Sequence, residues 1–199
     1  HGGCWLPPCA RGGCWLTQND DFFERAETIR NKGTDRTRFF RGEVDKYTWK
    51  DKGSSFLMPD LLAAVLLSQL EQREIIQAKR TEIWNRYHQE LEDWAKTNGV
   101  RRPIVPKECQ HNAHLYYLLL PNETTRDRFI ERIQANGISA IFHYQPLHAS
   151  EMGRSLGYAQ GDLPVSEDVS TRIVRLPFFY DFSSEQQSTV INAVKAFVC

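Results

Sequence analysis

The chain has 199 residues, with 25 Lys plus Arg against 25 Asp plus Glu and a formal net charge of zero. That length suits one domain with a second small unit, and the balanced charge excludes nucleic acid and acidic membrane surfaces as bulk partners. No apolar run approaches the roughly 20 residues that span a bilayer. The five cysteines are an odd number, which fits a reducing cytoplasm.

The first residues stand apart. The chain begins at His1, and HGGCWLPPCARGGCWL has too little apolar length for a signal-peptide core. A fragment or an edited sequence is the simpler reading. GGCWL occurs at Gly2 to Leu6 and again at Gly12 to Leu16. Residues 1–10 are therefore set aside as an atypical segment, either a shifted or duplicated reading frame or a flexible terminus. Cys4, Cys9 and Cys14 are evenly spaced, but zinc motifs favour shorter pairs and a fourth ligand. Only His1 is nearby, and no metal is assigned. His111, His114 and His148 are discounted as a zinc set, because no acidic partner recurs.

The spacing predicts a helix over 20–32, capped by Asp20 or Asp21 and stopped by Gly33. A polar loop follows. Pro59 then suits the first position of a second helix, whose Leu62, Leu66 and Leu70, with Leu61 and Val65 beside them, predict a wide buried face. The helical pattern continues, with a bend near Glu71, through Ile76, Ile83, Tyr87, Leu91 and Trp94 to a stop at Asn98-Gly99. Beyond the Pro103 to Pro106 linker the period changes. His114 to Leu120 and Ile138 to Tyr144 read as strands. Between them lies a helix capped by Thr124 or Thr125 and ended by Gly137. A short helix over 166–173 leads into Val174-Arg175-Leu176. Ser183 or Ser184, with Gln186 or Gln187 three residues on, resembles a capping box for a last helix. Strands alternating with helices make a small α/β unit.

The loop after the first helix carries Arg41, Lys46, Tyr47, Trp49 and Lys50, with Gly42 and Gly53 as breakers. A long loop of this composition is costly to order and usually carries function. Such side chains can hold an anionic, ring-containing ligand. Arg41, Lys46, Tyr47 and Trp49 are the candidates, against the alternative of a solvated basic loop with Trp49 tucked into the core. The second strand ends in His143-Tyr144-x-Pro146-Leu147-His148. These imidazoles and this phenol can bond sugar hydroxyls or a carboxylate, or can be satisfied structural groups. Tyr116, Tyr117, Phe178, Phe179 and Tyr180 are read as packing of the sheet.

The segment FFRGEVDKYTWKDKGSSFLMPDLLAAVLLSQL resembles the DegT/DnrJ/EryC1/StrS family of pyridoxal-phosphate-dependent sugar aminotransferases. RAETIRNKGTDRTRFFRG before it, and AIFHYQPLH and RLPFFY after it, carry the same likeness over roughly residues 11 to 199. Within the family it is densest to the transaminases that form dTDP-4-amino-4,6-dideoxygalactose. The likeness covers only the C-terminal half of such an enzyme. It implies the α/β fold of a fold-type-I transferase: the end of a large domain over 11–70, with the ligand loop and the start of a linking helix, and a small C-terminal domain over 71–199. It implies a nucleotide-sugar and an amino-acid donor as partners, a homodimer in the full-length form, and a role in surface polysaccharide synthesis. Many members place an asparagine near Gly53-Ser54-Ser55 to reach the cofactor phosphate of the neighbouring subunit. Here the serine pair stands in its place, so Ser55 and Ser54 are phosphate candidates, or they only shape the helix entrance. The resemblance also sets His143, Tyr144 and His148 beside the substrate pocket.

The same resemblance identifies a missing group. Transamination needs a lysine that holds the cofactor and moves a proton, and the family keeps it just upstream of a glycine-rich turn. Counting back from Gly12-Gly13 reaches Cys4, and the first lysine of the chain is Lys32. Arg11 stands where the family has glutamate, and the aspartate for the pyridinium nitrogen is absent as well. No catalytic residue is assigned, and the isolated chain is expected not to transaminate. The alternative is a non-catalytic remnant or interaction module that keeps the small-domain fold.

Overall fold

The computed structural model describes residues 17–199. The GGCWL repeat, Cys4, Cys9, Cys14, Arg11 and the Gly12-Gly13 turn lie outside the described residues. The chain divides into two compact units, one ending at Gln72 and the other running Arg73–Cys199.

The first unit holds α1 (Phe23–Arg30), α2 (Arg36–Phe40) and α3 (Asp60–Glu71). A 3-10 turn over Asp20–Phe22 precedes α1, and Asn19 caps that turn with its side chain. The predicted cap at Asp20 or Asp21 is thus one or two residues late. The chain turns out of α1 through two left-handed residues, Lys32 at φ 62° and Gly33 at φ 75°. It is then laced to the far end of the loop. Lys50 and Asp51 donate to the Gly33 carbonyl at 2.7 and 3.0 Å, Lys32 donates to Ser54 at 3.1 Å, and Ser54 donates to Ile29 at 3.1 Å. Bridges Asn31↔Ser55 and Thr34↔Trp49 continue the lacing. The side chains buried here are polar. Asn31 bonds the Glu27 carbonyl and the Thr37 hydroxyl, and Asp35 accepts from the Thr48 amide at 2.6 Å. That bond, with Lys50 nearby, holds the Asp35 carboxyl below its ordinary value.

Gly33 is required by this lacing. A Cβ there would lie 1.8 Å from the Asp51 carbonyl oxygen, at a left-handed backbone angle. Gly33→Ala is expected to detach residues 48–55 from 29–35. Amide exchange checks it: protection at Lys50 and Asp51, which donate to Gly33, should fall by more than about tenfold, since left-handed alanine alone costs ~1–2 kcal/mol. Unchanged protection would refute this account.

The apolar face predicted for α3 is uncovered. Leu61, Val65, Leu67 and Leu70 are exposed, and α3 contains no buried residue. The helix stops at Gln72 and the chain breaks again at Leu91, so the continuous bent helix of the sequence reading is three helices.

The second unit is α4 (Arg73–Glu90), α5 (Glu92–Thr97), β1 (Tyr117–Leu119), α6 (Glu123–Ala135), β2 (Ile141–Phe142), α7 (Glu151–Ser155), α8 (Pro164–Arg172), β3 (Ile173–Arg175) and α9 (Ser184–Lys195). The sheet order is β1-β3-β2, with both outer strands antiparallel to β3. β1 and β2 therefore run parallel with α6 between them in sequence, a split β-α-β arrangement closed by β3. The strands are shorter than the spacing predicts, because β3 offers only three residues to pair.

One contiguous core joins helices and sheet. Ile83, Tyr87 and Leu91 line α4 and the residue after it. They meet Tyr116, Leu118, Phe129, Ile133, Val174 and Val194. Each fully buried side chain of this size contributes about 1.5–3 kcal/mol. Buried polar groups are paired across elements: the Trp94 indole donates to the Phe197 carbonyl at 2.7 Å and the Gln187 amide donates to Ile83 at 2.8 Å. The capping box of α9 is present at Ser183 and Gln186. The cap of α6 is Asn122, not Thr124 or Thr125. Its extended backbone aims its side chain at the Thr125 amide.

Candidate functional site

The first unit carries Arg41, Lys46, Tyr47, Trp49, Ser54 and Ser55, all exposed. Trp49 is 79% exposed, which rules out the alternative of a core tryptophan. Its indole N–H donates to the Asp51 carbonyl at 2.7 Å. That bond and the Thr34 bridge fix the ring on the surface, with its faces free to stack. Tyr47 leans edge-on against Phe39, with centroids 5.7 Å apart. Arg41 is already engaged. It forks onto Glu27 at 3.3 and 2.6 Å and reaches Glu43 at 2.9 Å. These carboxylates, Glu27 first, push the guanidinium further above its ordinary range. A phosphate would have to displace them, whereas Lys46 has no partner among the described residues.

Ser54 and Ser55 lie where the loop crosses the end of α1. Their backbones are used in the lacing, and their hydroxyls bond no described residue. Lys32 and Lys52 are exposed nearby in the chain. Hydroxyl donors flanked by cations fit a phosphate.

The second unit carries His143, Tyr144 and His148. His143 is half-buried at the end of β2, and Tyr144 is exposed, 5.3 Å from it, centroid to centroid. Burial, then Arg175 and His114, push the His143 imidazole below its ordinary value. His148 is turned inward. It is 7% exposed, and its Nε2 meets Glu167 at 2.8 Å. Glu167 also accepts from the Gly161 amide at 2.7 Å. Bonds to His148 and Gly161 lower its carboxyl pKa. The ring thus pins the segment between α7 and α8. Sequence reasoning passed over Glu167, because the pairing spans 19 positions with no local pattern.

Among the described residues no cluster of three or more His, Cys, Asp or Glu could hold a metal. Cys109 and Cys199 are free and exposed. No helix among the described residues is long and apolar enough to cross a membrane.

Comparison with known proteins shows the family of the chain. The uncharacterized protein MJ1066 of Methanocaldococcus jannaschii is 30% identical over 194 residues, which are 94% of this chain and 50% of that protein. The dTDP-3-amino-3,4,6-trideoxy-alpha-D-glucose transaminase of Micromonospora megalomicea subsp. nigra is 29% identical over 186 residues, 92% of this chain and 47% of that enzyme. The crystal structure of a DegT DnrJ EryC1 StrS aminotransferase from Brucella abortus superposes with a TM-score of 0.74 at 27% identity, covering 93% of this chain and 47% of that one. The chain spans about half the length of the curated relatives it matches. The description of the DegT/DnrJ/EryC1/StrS aminotransferase family matches residues 6–195, and the chain belongs to that family.

Proposed function

We propose that this chain is the C-terminal portion of a cytoplasmic nucleotide-sugar aminotransferase, the part that grips the nucleotide-sugar and the phosphate of pyridoxal 5'-phosphate. The parent reaction is amino transfer from glutamate to a dTDP-4-keto-6-deoxyhexose, giving a 4-amino sugar for surface polysaccharide in a homodimeric enzyme. The observation that carries this reading is the surface-fixed Trp49 on a basic loop in a chain of this family.

Bound pyridoxal phosphate supplies the electron sink for amino transfer. The residues in this chain bind and orient. Ser54 and Ser55 donate hydroxyls to the phosphate. Trp49 offers a face to the thymine ring, Lys46 offers charge to the diphosphate, and Tyr47 stands beside them. Arg41 joins only if it is released from Glu27. His143 and Tyr144 bond the sugar. His148 holds the shape of the same segment through Glu167 and reaches substrate only if that bond opens. The large-domain end over 11–70 and the small domain over 71–199 then correspond to the two parts of such an enzyme. The uncovered α3 face is the surface the rest of the large domain would cover.

Titration of dTDP into the full chain, read by tryptophan fluorescence, tests the loop. Saturable quenching is expected. Trp49→Phe should remove it, and Lys46→Ala should weaken binding by about tenfold, the scale of one charge-assisted contact. No saturable quenching, or quenching unchanged in Trp49→Phe, would refute the reading. The retained fold without nucleotide binding would instead support a non-catalytic interaction module.

A further inference from the structure

A groove of about 560 Å³ runs between α6 and the chain end, a size within the roughly 300–1,000 Å³ of small-molecule sites. Arg128, Glu131 and Arg132 form one wall, and Ala196, Phe197 and Val198 form the other. Spacings of three and four put the charged side chains on one face of α6. The apolar wall is held in place. The Phe197 carbonyl accepts from the buried Trp94 indole at 2.7 Å, and its ring lies edge-on to Phe129. The Cys199 amide donates to the Asn98 side chain at 2.9 Å. Val198, between these two anchors, is 74% exposed.

The charges of the helical wall are unpaired. The Arg128 guanidinium rests over the Phe197 ring, 5.8 Å from its centroid. The side chains of Arg128, Glu131 and Arg132 make no hydrogen bond or ion pair among the described residues, and neither guanidinium pairs with the carboxylate at Cys199. Arg126, on the same helix but not in the lining, is paired with Asp127 at 2.9 Å and with Glu123 at 3.4 Å. Like charges four residues apart destabilise a helix unless something offsets them. The lining itself carries two positive charges against one negative.

We propose that this groove binds a small organic monoanion with an apolar body. Its acid group lies between Arg128 and Arg132, whose planar forks suit the coplanar oxygens of a carboxylate. Its body covers Val198 and the aliphatic stem of Arg132. One negative charge matches the excess of the lining. A dianion would be repelled by Glu131, and a cation would face two arginines. The groove shares no residue with the loop of the first unit or with the end of β2, so the inference does not rest on the aminotransferase reading. A bound acid ties α6 to the chain end and stabilises the folded unit by mass action.

The test is a set of separate titrations of the full chain with 3-phenylpropionate, propionate, 3-phenylpropylamine and inorganic phosphate. The reporter is the indole N–H resonance of Trp94, which is bonded to Phe197 of the groove wall. 3-Phenylpropionate should shift it saturably and raise the thermal midpoint with concentration. Propionate keeps the acid and loses the body, and should bind at least about tenfold more weakly. Phosphate should also bind at least about tenfold more weakly, and the amine should not bind. Arg132→Gln should weaken 3-phenylpropionate by about tenfold. It should leave the thermal midpoint of the free chain no lower, because it relieves the repulsion from Arg128. Val198→Ser should weaken 3-phenylpropionate several-fold and leave propionate unchanged. Both positions are exposed, so a loss of binding with the midpoint kept is a loss of the site and not of the fold. No saturable shift with 3-phenylpropionate, equal binding of propionate, phosphate or the amine, or full affinity in either variant would overturn the proposal.

Discussion

Phe129→Ala should strongly destabilise the unit formed by Arg73–Cys199. Phe129 is completely buried in the middle of α6. Its ring meets Phe197 edge-on at 5.2 Å and Trp94 at 6.2 Å, centroid to centroid. Those contacts join α6, α5 and the chain after α9, so the cavity would open where three segments meet and none can collapse alone. A buried phenylalanine cut to alanine costs about 3–5 kcal/mol, while a whole domain commonly holds about 5–15 kcal/mol. Thermal unfolding followed by near-ultraviolet circular dichroism should show the midpoint falling by more than about 10 °C. Ile130→Ala, one residue on and only partly buried, serves as the comparison and should move it far less. Equal shifts for the two variants would mean that the packing of α6 is not as described.

The sequence made the local devices of this fold legible. The Ser183–Gln186 capping box needs only four consecutive residues to be recognised, and it is present. Gly33 and Gly53 could be read as breakers. Their reason could not, because it is a close approach between distant segments: a Cβ on Gly53 would lie 2.2 Å from the Gly33 amide nitrogen. Strand lengths were overestimated for the same kind of reason. HLYYLLL has strand character over seven residues, but the ladder extends only as far as β3 can pair. Among the site candidates, composition selected Arg41 for its charge but could not see that Glu27, 14 positions earlier, already occupies its fork. It selected His148 and could not see Glu167.

Pyridoxal phosphate mixed with the 199-residue chain and reduced with borohydride should leave no stoichiometric adduct on any one lysine. The family's cofactor lysine lies upstream of the glycine-rich turn, and the 199 residues contain no lysine before Lys32. Lys32 itself is committed elsewhere in its backbone. It sits at a left-handed φ of 62°, and its amide donates to Ser54, which fixes it at the crossing of the loop. Its amine is exposed, whereas a lysine nucleophile is ordinarily activated by desolvation in an apolar pocket. Low, scattered labelling of surface lysines is expected, with peptide mass spectrometry showing no preferred position. A specific one-to-one adduct would overturn the proposal that this portion binds and orients while the reacting amine lies elsewhere. The phosphate half of the proposal has a separate readout, because Ser54 and Ser55 would act without any covalent bond. Pyridoxal phosphate should therefore still compete with inorganic phosphate for the chain, and Ser55→Ala should weaken that competition by several-fold, the scale of one charge-assisted hydrogen bond. Full competition in a Ser54→Ala, Ser55→Ala double variant would remove the serine pair from the site and leave the loop's nucleotide face as the part of the proposal still supported.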